Sequence, residues 1–143
     1  MSNDDLRGCL RAGGRRVTPQ RAVIADAICE APGHATAEMV YSIAAEHLPG
    51  LSLKTVYQTL HELVTLGALV RLDVGTGSAR FDLRTDAHHH VVCDRCGLVD
   101  DVMLDITALR LPADMAERFE VDRTDVVVRG RCTHHGDGSV NPA

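Results

Sequence analysis

Residues 52–83 read Ser52-Leu-Lys-Thr-Val-Tyr-Gln-Thr-Leu-His-Glu-Leu-Val-Thr-Leu-Gly67, then Ala68-Leu-Val-Arg-Leu-Asp-Val-Gly-Thr-Gly-Ser-Ala-Arg-Phe-Asp-Leu83. In the first part Leu53, Val56, Leu60, Leu63 and Val64 recur at helical spacing, Ser52 opens the run and Gly67 stops it. On the opposite face Lys54, Tyr57, Gln58 and His61 stand at i, i+3, i+4 and i+7, a continuous polar row. In the second part Val70, Leu72 and Val74 alternate up to Gly75-Thr76-Gly77-Ser78, and Arg80-Phe81-Asp82 leads away. That pattern predicts a β-hairpin with a glycine-rich tip.

Upstream, Leu6 and Leu10 mark a short amphipathic start. Thr18 followed by Pro19 is an N-cap and a proline at the first helical position, where the missing N–H costs nothing. The helix they open should run to about Cys29, with Val23, Ala27 and Ile28 on one face, and end at Ala31-Pro32-Gly33. Thr36 caps the next, with Val40, Ile43, Ala44, His47 and Leu48 at helical spacing before Pro49-Gly50. Helix, helix, short turn, helix with a polar outer row, then hairpin is the order of a winged helix-turn-helix.

Beyond residue 84 the character changes. His88 to Cys93 and Leu98 to Leu104 read as two strands joined by Cys93-Asp94-Arg95-Cys96-Gly97; Pro112 to Phe119 reads as a helix with Met115 and Phe119 inward, and Asp125 to Cys132 as a third strand. The expectation is an α+β chain: a winged-helix DNA-binding domain at 1–83, a hinge at 84–87, a small α/β dimerisation domain with a three-stranded sheet at 88–135, and a disordered tail at 136–143. A three-stranded sheet alone exposes an edge, and a second copy would cover it, so a homodimer is expected.

With 143 residues the chain is too short for a multidomain machine, and 45 % apolar with 24 % charged residues suits a folded core. No apolar run approaches the ~18–20 residues of a membrane span, and MSNDDLRG resembles no export signal, so a soluble, cytoplasmic location is expected. The net charge of −5 argues at first against nucleic acid. Its distribution reverses that inference: residues 1–80 balance 8 basic against 8 acidic residues, and the whole excess lies in 81–143. Arg7, Arg11, Arg15, Arg16 and Arg21 against Asp4 and Asp5 make a basic stretch, and phosphate binding needs only a local patch. Tyr57 on the outer row could pack on a thymine methyl, and Lys54 could reach phosphate.

Five cysteines in a chain expected among reducing thiols point to metal before disulfide. Cys93-x-x-Cys96 followed by Cys132-x-x-His135 offers a Cys₃His set for tetrahedral Zn²⁺, with His134 competing for the fourth place. In the strand Ala87-His88-His89-His90, His88 and His90 share one face; with Asp82 and Asp101 on neighbouring strand ends, an N/O set suited to Fe²⁺ or Mn²⁺ is one reading and a solvated polar strand the other.

Arg16-Val-Thr18-Pro-Gln-Arg21, His34-Ala-Thr-Ala, Leu53-Lys-Thr-Val-Tyr57, Arg80-Phe-Asp82, His88-His-His90-Val-Val-Cys93-Asp-Arg-Cys96-Gly and Arg131-Cys132 together resemble the ferric uptake regulator family of bacterial metal-dependent repressors, over about residues 5–135. The resemblance implies a dimeric repressor of a palindromic double-stranded DNA operator, with a structural Zn²⁺ and a regulatory Fe²⁺ or Mn²⁺. It carries the regulatory ligands onto His34, Asp82, His88, His90 and Asp101, and DNA contacts onto Arg16, Tyr57 and Gln58. Where the family usually has a second full CxxC pair, this chain has His135; Ala87 and Ala108 stand where some members bind a further metal. Aspartate at 101, where iron sensors tend to have glutamate, resembles the peroxide-responsive branch, which implies His34 and His88 as oxidation-sensitive ligands. An iron-level repressor of the same family is the alternative. A mononuclear metal enzyme is a third reading, against which stands the lack of a spare acid or base beside the ligands. Cys9 and Cys29 could form a thiol switch, but their apolar helical neighbours suit small core residues better.

Overall fold

The computed structural model describes residues 1–133, which divide into two compact units, Met1–Thr85 and the residues from Asp86 on. Among the described residues there are five helices and two three-stranded sheets, one in each unit, an α+β architecture. His134 and His135, and the tail expected at 136–143, lie outside the described residues. No described helix is long and apolar enough to cross a membrane.

The first unit runs α1 (Asn3–Ala12), α2 (Pro19–Glu30), β1 (Ala35–Thr36), α3 (Ala37–His47), α4 (Leu53–Thr65), β2 (Val70–Leu72) and β3 (Arg80–Asp82). Each expected cap is in place: the Thr18, Thr36 and Ser52 hydroxyls accept from the amides of Arg21, Met39 and Thr55 at 3.3, 3.2 and 3.1 Å. Each such cap is worth about 1 kcal/mol because it satisfies an amide that the helix leaves orphaned. Leu6, Leu10, Ile24, Val40, Val56, Leu60 and Leu63 are fully excluded from water and join α1 to α4 into one core. The stripe read for α4 is corrected at its edges: Leu53 and Val64 are only half-buried, and Thr59 fills the remaining core position at 2 % exposure.

The wing is a three-stranded antiparallel sheet in the order β1-β3-β2. Its outer member β1 has two residues, too few for a period-2 pattern to register, so the sequence showed only the β2–β3 hairpin.

The second unit holds β4 (His89–Cys93), β5 (Val99–Val102), α5 (Ala113–Ala116) and β6 (Val127–Gly130), with sheet order β5-β4-β6. β5 pairs antiparallel with β4, and β6 runs parallel to it. The helix expected over Pro112–Phe119 contracts to four residues, and Phe119 is exposed rather than inward. Pro112 offers it no side-chain cap, and its last turn ends with the Arg118 and Phe119 amides both donating to the Met115 carbonyl.

Leu60 sits at the centre of the first unit's core, so Leu60→Ala should lower the urea-unfolding free energy of that unit by about 2–5 kcal/mol, with the slope of the transition unchanged.

Candidate functional site

In the first unit, strand alternation sorts β3 into two faces: Phe81 enters the core at 3 % exposure, while Arg80 and Asp82 share the other face. The register pairs Thr36 with Arg80 and Ala35 with Phe81. Continuing it by one residue brings His34 opposite Asp82. The His34 Nε2 lies 3.3 Å from the Asp82 Oδ2, with both side chains nearly closed to water. The Arg84 amide donates to Asp82 Oδ1 at 2.7 Å, and the Arg80 Nη1 donates to the His34 carbonyl at 3.0 Å. His34 has φ 59°, and among the described residues it is the one non-glycine with a left-handed backbone. A side chain held there costs roughly 1–2 kcal/mol, which the surrounding contacts must offset. Before the resemblance, nothing in the spacing singled out His34, because its partner lies 48 positions away in sequence.

In the second unit, the register pairs His90 with Asp101 across β4 and β5. Asp101 Oδ1 lies 3.1 Å from the His88 Nε2 and 3.8 Å from the His90 Nε2, and the two rings meet edge to face with centroids 4.6 Å apart. The other nitrogen of His88, Nδ1, is 2.7 Å from the Asp86 carbonyl. A carbonyl only accepts, so Nδ1 carries a proton and Nε2 is the nitrogen turned toward the carboxylate. At 3.1 Å the Nε2 and the carboxylate are joined either by a proton on Nε2 or by a cation that both ligate, and an imidazole anchored through Nδ1–H to a carbonyl is the usual support for a metal-binding Nε2. His89 behaves differently: its Nδ1 accepts from the Val126 amide at 3.4 Å, so it is a satisfied interior histidine.

The second cluster of this unit is built by backbone pairing. Gly97, at φ 73°, closes the Cys93–Cys96 turn, with its amide donating to the Cys93 carbonyl at 2.8 Å. Parallel pairing of Cys93 with Gly130 then delivers Cys132 to the same place. One ligand atom from each of Cys93, Cys96 and Cys132 falls within 4.8 Å of the others, and the Cys96 and Cys132 sulfurs are 3.7 Å apart. Zn–S bonds of ~2.3 Å put tetrahedral S···S edges at roughly 3.8 Å, whereas a disulfide would need ~2.05 Å. The Cys132 amide donates to the Cys93 Sγ at 3.3 Å, and this bond foremost lowers the Cys93 thiol to about 6. Burial pushes Cys132 in the opposite direction. A thiolate ready at neutral pH and two neighbouring sulfurs at tetrahedral spacing fit a zinc ion; the fourth ligand, His135 or His134, lies outside the described residues.

On α4, Lys54, Tyr57, Gln58 and His61 are all exposed, as the polar row predicted. Tyr57 is not loose: its hydroxyl donates to Glu38 Oε1 at 2.8 Å, which raises its pKa and fixes the ring against α3. Two of the five N-terminal arginines are engaged internally. Arg7 grips both Asp26 oxygens at 2.6 Å, and Arg21 bridges to Glu62 and to the Arg16 carbonyl at 2.8 Å. Arg11, Arg15 and Arg16 stay exposed, with no carboxylate partner among the described residues. Cys9 and Cys29 pack half-buried against the core of the first unit, and burial raises the Cys29 thiol, which makes a poor nucleophile.

The sequence pattern of the ferric uptake regulator family matches residues 12–129. The peroxide-responsive repressor of Staphylococcus epidermidis is 35 % identical over 92 residues, 64 % of this chain and 61 % of that protein. The peroxide-responsive repressor of Staphylococcus aureus is 31 % identical over 124 residues, 86 % of this chain and 84 % of its own length. Among solved structures, the ferric uptake regulator of Pseudomonas aeruginosa with manganese is similar at 30 % identity and a TM-score of 0.64, covering 87 % of this chain and 95 % of that one.

If the three sulfurs hold zinc, protein purified from zinc-supplemented medium should carry about one zinc per chain by elemental analysis, and Cys96→Ser and Cys132→Ser should each carry far less. The melting temperature of the second unit should fall in both variants, as it should in the parent after chelation.

Proposed function

The chain belongs to the ferric uptake regulator family, and from that membership we propose that it is a repressor whose grip on DNA depends on bound Fe²⁺ or Mn²⁺ and which senses peroxide through oxidation of a ligand histidine. It is a metal-dependent regulator and not an enzyme, so the reading of its His/Asp residues as a mononuclear catalytic centre falls away.

The observation that carries the proposal is the approach of His88 Nε2 to Asp101 within 3.1 Å, with the ring supported from behind through Nδ1 as that of a metal ligand is. In this reading the regulatory ion takes the ligand positions that the family resemblance carries onto this chain, His34, Asp82, His88, His90 and Asp101. Cys93, Cys96 and Cys132, with His135 or His134, hold the structural zinc.

Imidazole and carboxylate donors suit Fe²⁺ and Mn²⁺ better than a thiolate-rich site does. When bound, ferrous iron supplies the reducing power that turns peroxide into an oxidant beside its own ligands. His34 and His88 present the ring carbons that take up one oxygen, and an oxidised imidazole donates weakly. Once a histidine is oxidised, metal occupancy falls and with it the population of the DNA-binding form. A homodimer then ceases to present two α4 helices at one half-site spacing to a palindromic operator, where Tyr57 and Gln58 enter the major groove, Arg16 turns toward the minor groove and Lys54 meets phosphate.

Gel retardation of operator DNA should require Mn²⁺ or Fe²⁺. Peroxide should release only the Fe²⁺-loaded protein, with a gain of one oxygen on a peptide containing His34 or His88. Release accompanied by zinc loss and oxidation of Cys93 or Cys96 would overturn the histidine mechanism. Asp101→Glu should keep metal-dependent binding while blunting the peroxide response; an unchanged response would remove Asp101 as the ground for preferring the peroxide-responsive branch.

A further inference from the structure

We propose that Arg80 is a positioning residue that ties the tip of the wing to the backbone of His34, so that the wing loop and this ligand respond as one piece. The inference rests on the reading of His34 as a metal ligand and goes beyond it by naming what holds that ligand in place.

Arg80 opens β3, the central strand of the wing sheet, and is registered with Thr36 on one side and Leu72 on the other. Its guanidinium reaches two segments far apart in sequence. Nη1 donates to the His34 carbonyl at 3.0 Å across 46 positions, and Nε donates to the Thr76 hydroxyl at 3.3 Å in the glycine-rich tip. A guanidinium is a rigid planar fork, so two acceptors bound to different edges of it have their separation fixed. A lysine ammonium on a flexible stem imposes no such spacing.

The His34 end is where such a hold matters. With φ at 59°, His34 would relax toward the right-handed or extended region if its peptide were released, and the Cα–Cβ bond would swing the imidazole away from Asp82. Orienting a ligand's backbone acts on metal affinity as outer-shell partners do, typically ~10–100-fold. The Thr76 end lies in the loop Gly75–Ser78, whose glycines at 75 and 77 have positive φ and supply little stiffness of their own. Arg80 gives that loop a fixed point and, by linkage, transmits to it whatever ordering the ligand gains.

The test uses the full chain, zinc-replete, titrated with MnCl₂ alone and followed by the electron paramagnetic resonance of free Mn²⁺, with amide hydrogen exchange of residues 74–79 before and after Mn²⁺. In the parent protein Mn²⁺ should slow exchange across 74–79. Arg80→Met should weaken Mn²⁺ binding about tenfold or more and abolish that protection. Thr76→Val touches no ligand and should weaken Mn²⁺ binding a few-fold while also abolishing the protection, a change that general loss of stability would not produce. If Arg80→Met does not fold, Arg80→Lys and Thr76→Val carry the test. Parental Mn²⁺ affinity and parental protection in these two variants would overturn the proposal. His34→Ala separates the two readings: near-complete loss of high-affinity Mn²⁺ binding upholds His34 as a ligand whatever Arg80 does, whereas parental affinity removes the ligand reading and the proposal with it.

Discussion

The two-residue period of β3 is the constraint on which the first unit turns. One strand of three residues must fill the core with Phe81 and place Arg80 and Asp82 on the other face, and alternation allows no other assignment once Phe81 is inside. A slip of one residue would send Arg80 and Asp82 into the apolar core and expose the phenyl ring. Because β1 is registered on the same strand, the geometry that packs the core also brings His34 to Asp82. Stability of the winged unit and readiness of its ligand pair are therefore consequences of one pairing.

The second unit reaches its sites by another route. Its histidine–aspartate cluster comes from antiparallel pairing of β4 with β5, and its cysteine cluster from parallel pairing of β4 with β6. β4 is central in both, with His90 near one end and Cys93 at the other. The strand that presents a hard N/O set at its start presents a soft sulfur set at its end. Donor chemistry is thus partitioned between the two ends of one central strand, nitrogen and oxygen at its start and sulfur at its end.

Much of this was legible in the residues. Caps at Thr18, Thr36 and Ser52, the polar row of α4, the CxxC turn and the shared face of His88 and His90 follow from local rules, and the structure has them. What escaped had no local signature. β1 is too short to show a period, the left-handed backbone falls on His34 and not on the adjacent Gly33, and the internal engagement of Arg7 and Arg21 depends on carboxylates 19 and 41 positions away. The short α5 failed in the opposite sense, since an apolar spacing of Met115 and Phe119 is not enough without a cap and a surface to pack on. His34 was found through the resemblance alone, which supplied the long-range pairing that composition and spacing could not.

The engagement of Arg7 with Asp26 and of Arg21 with Glu62 also bears on ionic strength. A cation already neutralised by a carboxylate of its own chain releases no counterion from DNA, so the formal tally of five arginines overstates the electrostatic contribution of the N-terminal stretch. The exposed Arg11, Arg15, Arg16 and Lys54 are four charges, and if all met phosphates they would set a slope of log affinity against log salt of about −3.6 per copy. A chain with net charge −5 can thus still offer DNA a modest and countable set of cations, whose contribution would be open to adjustment by the salt of its surroundings.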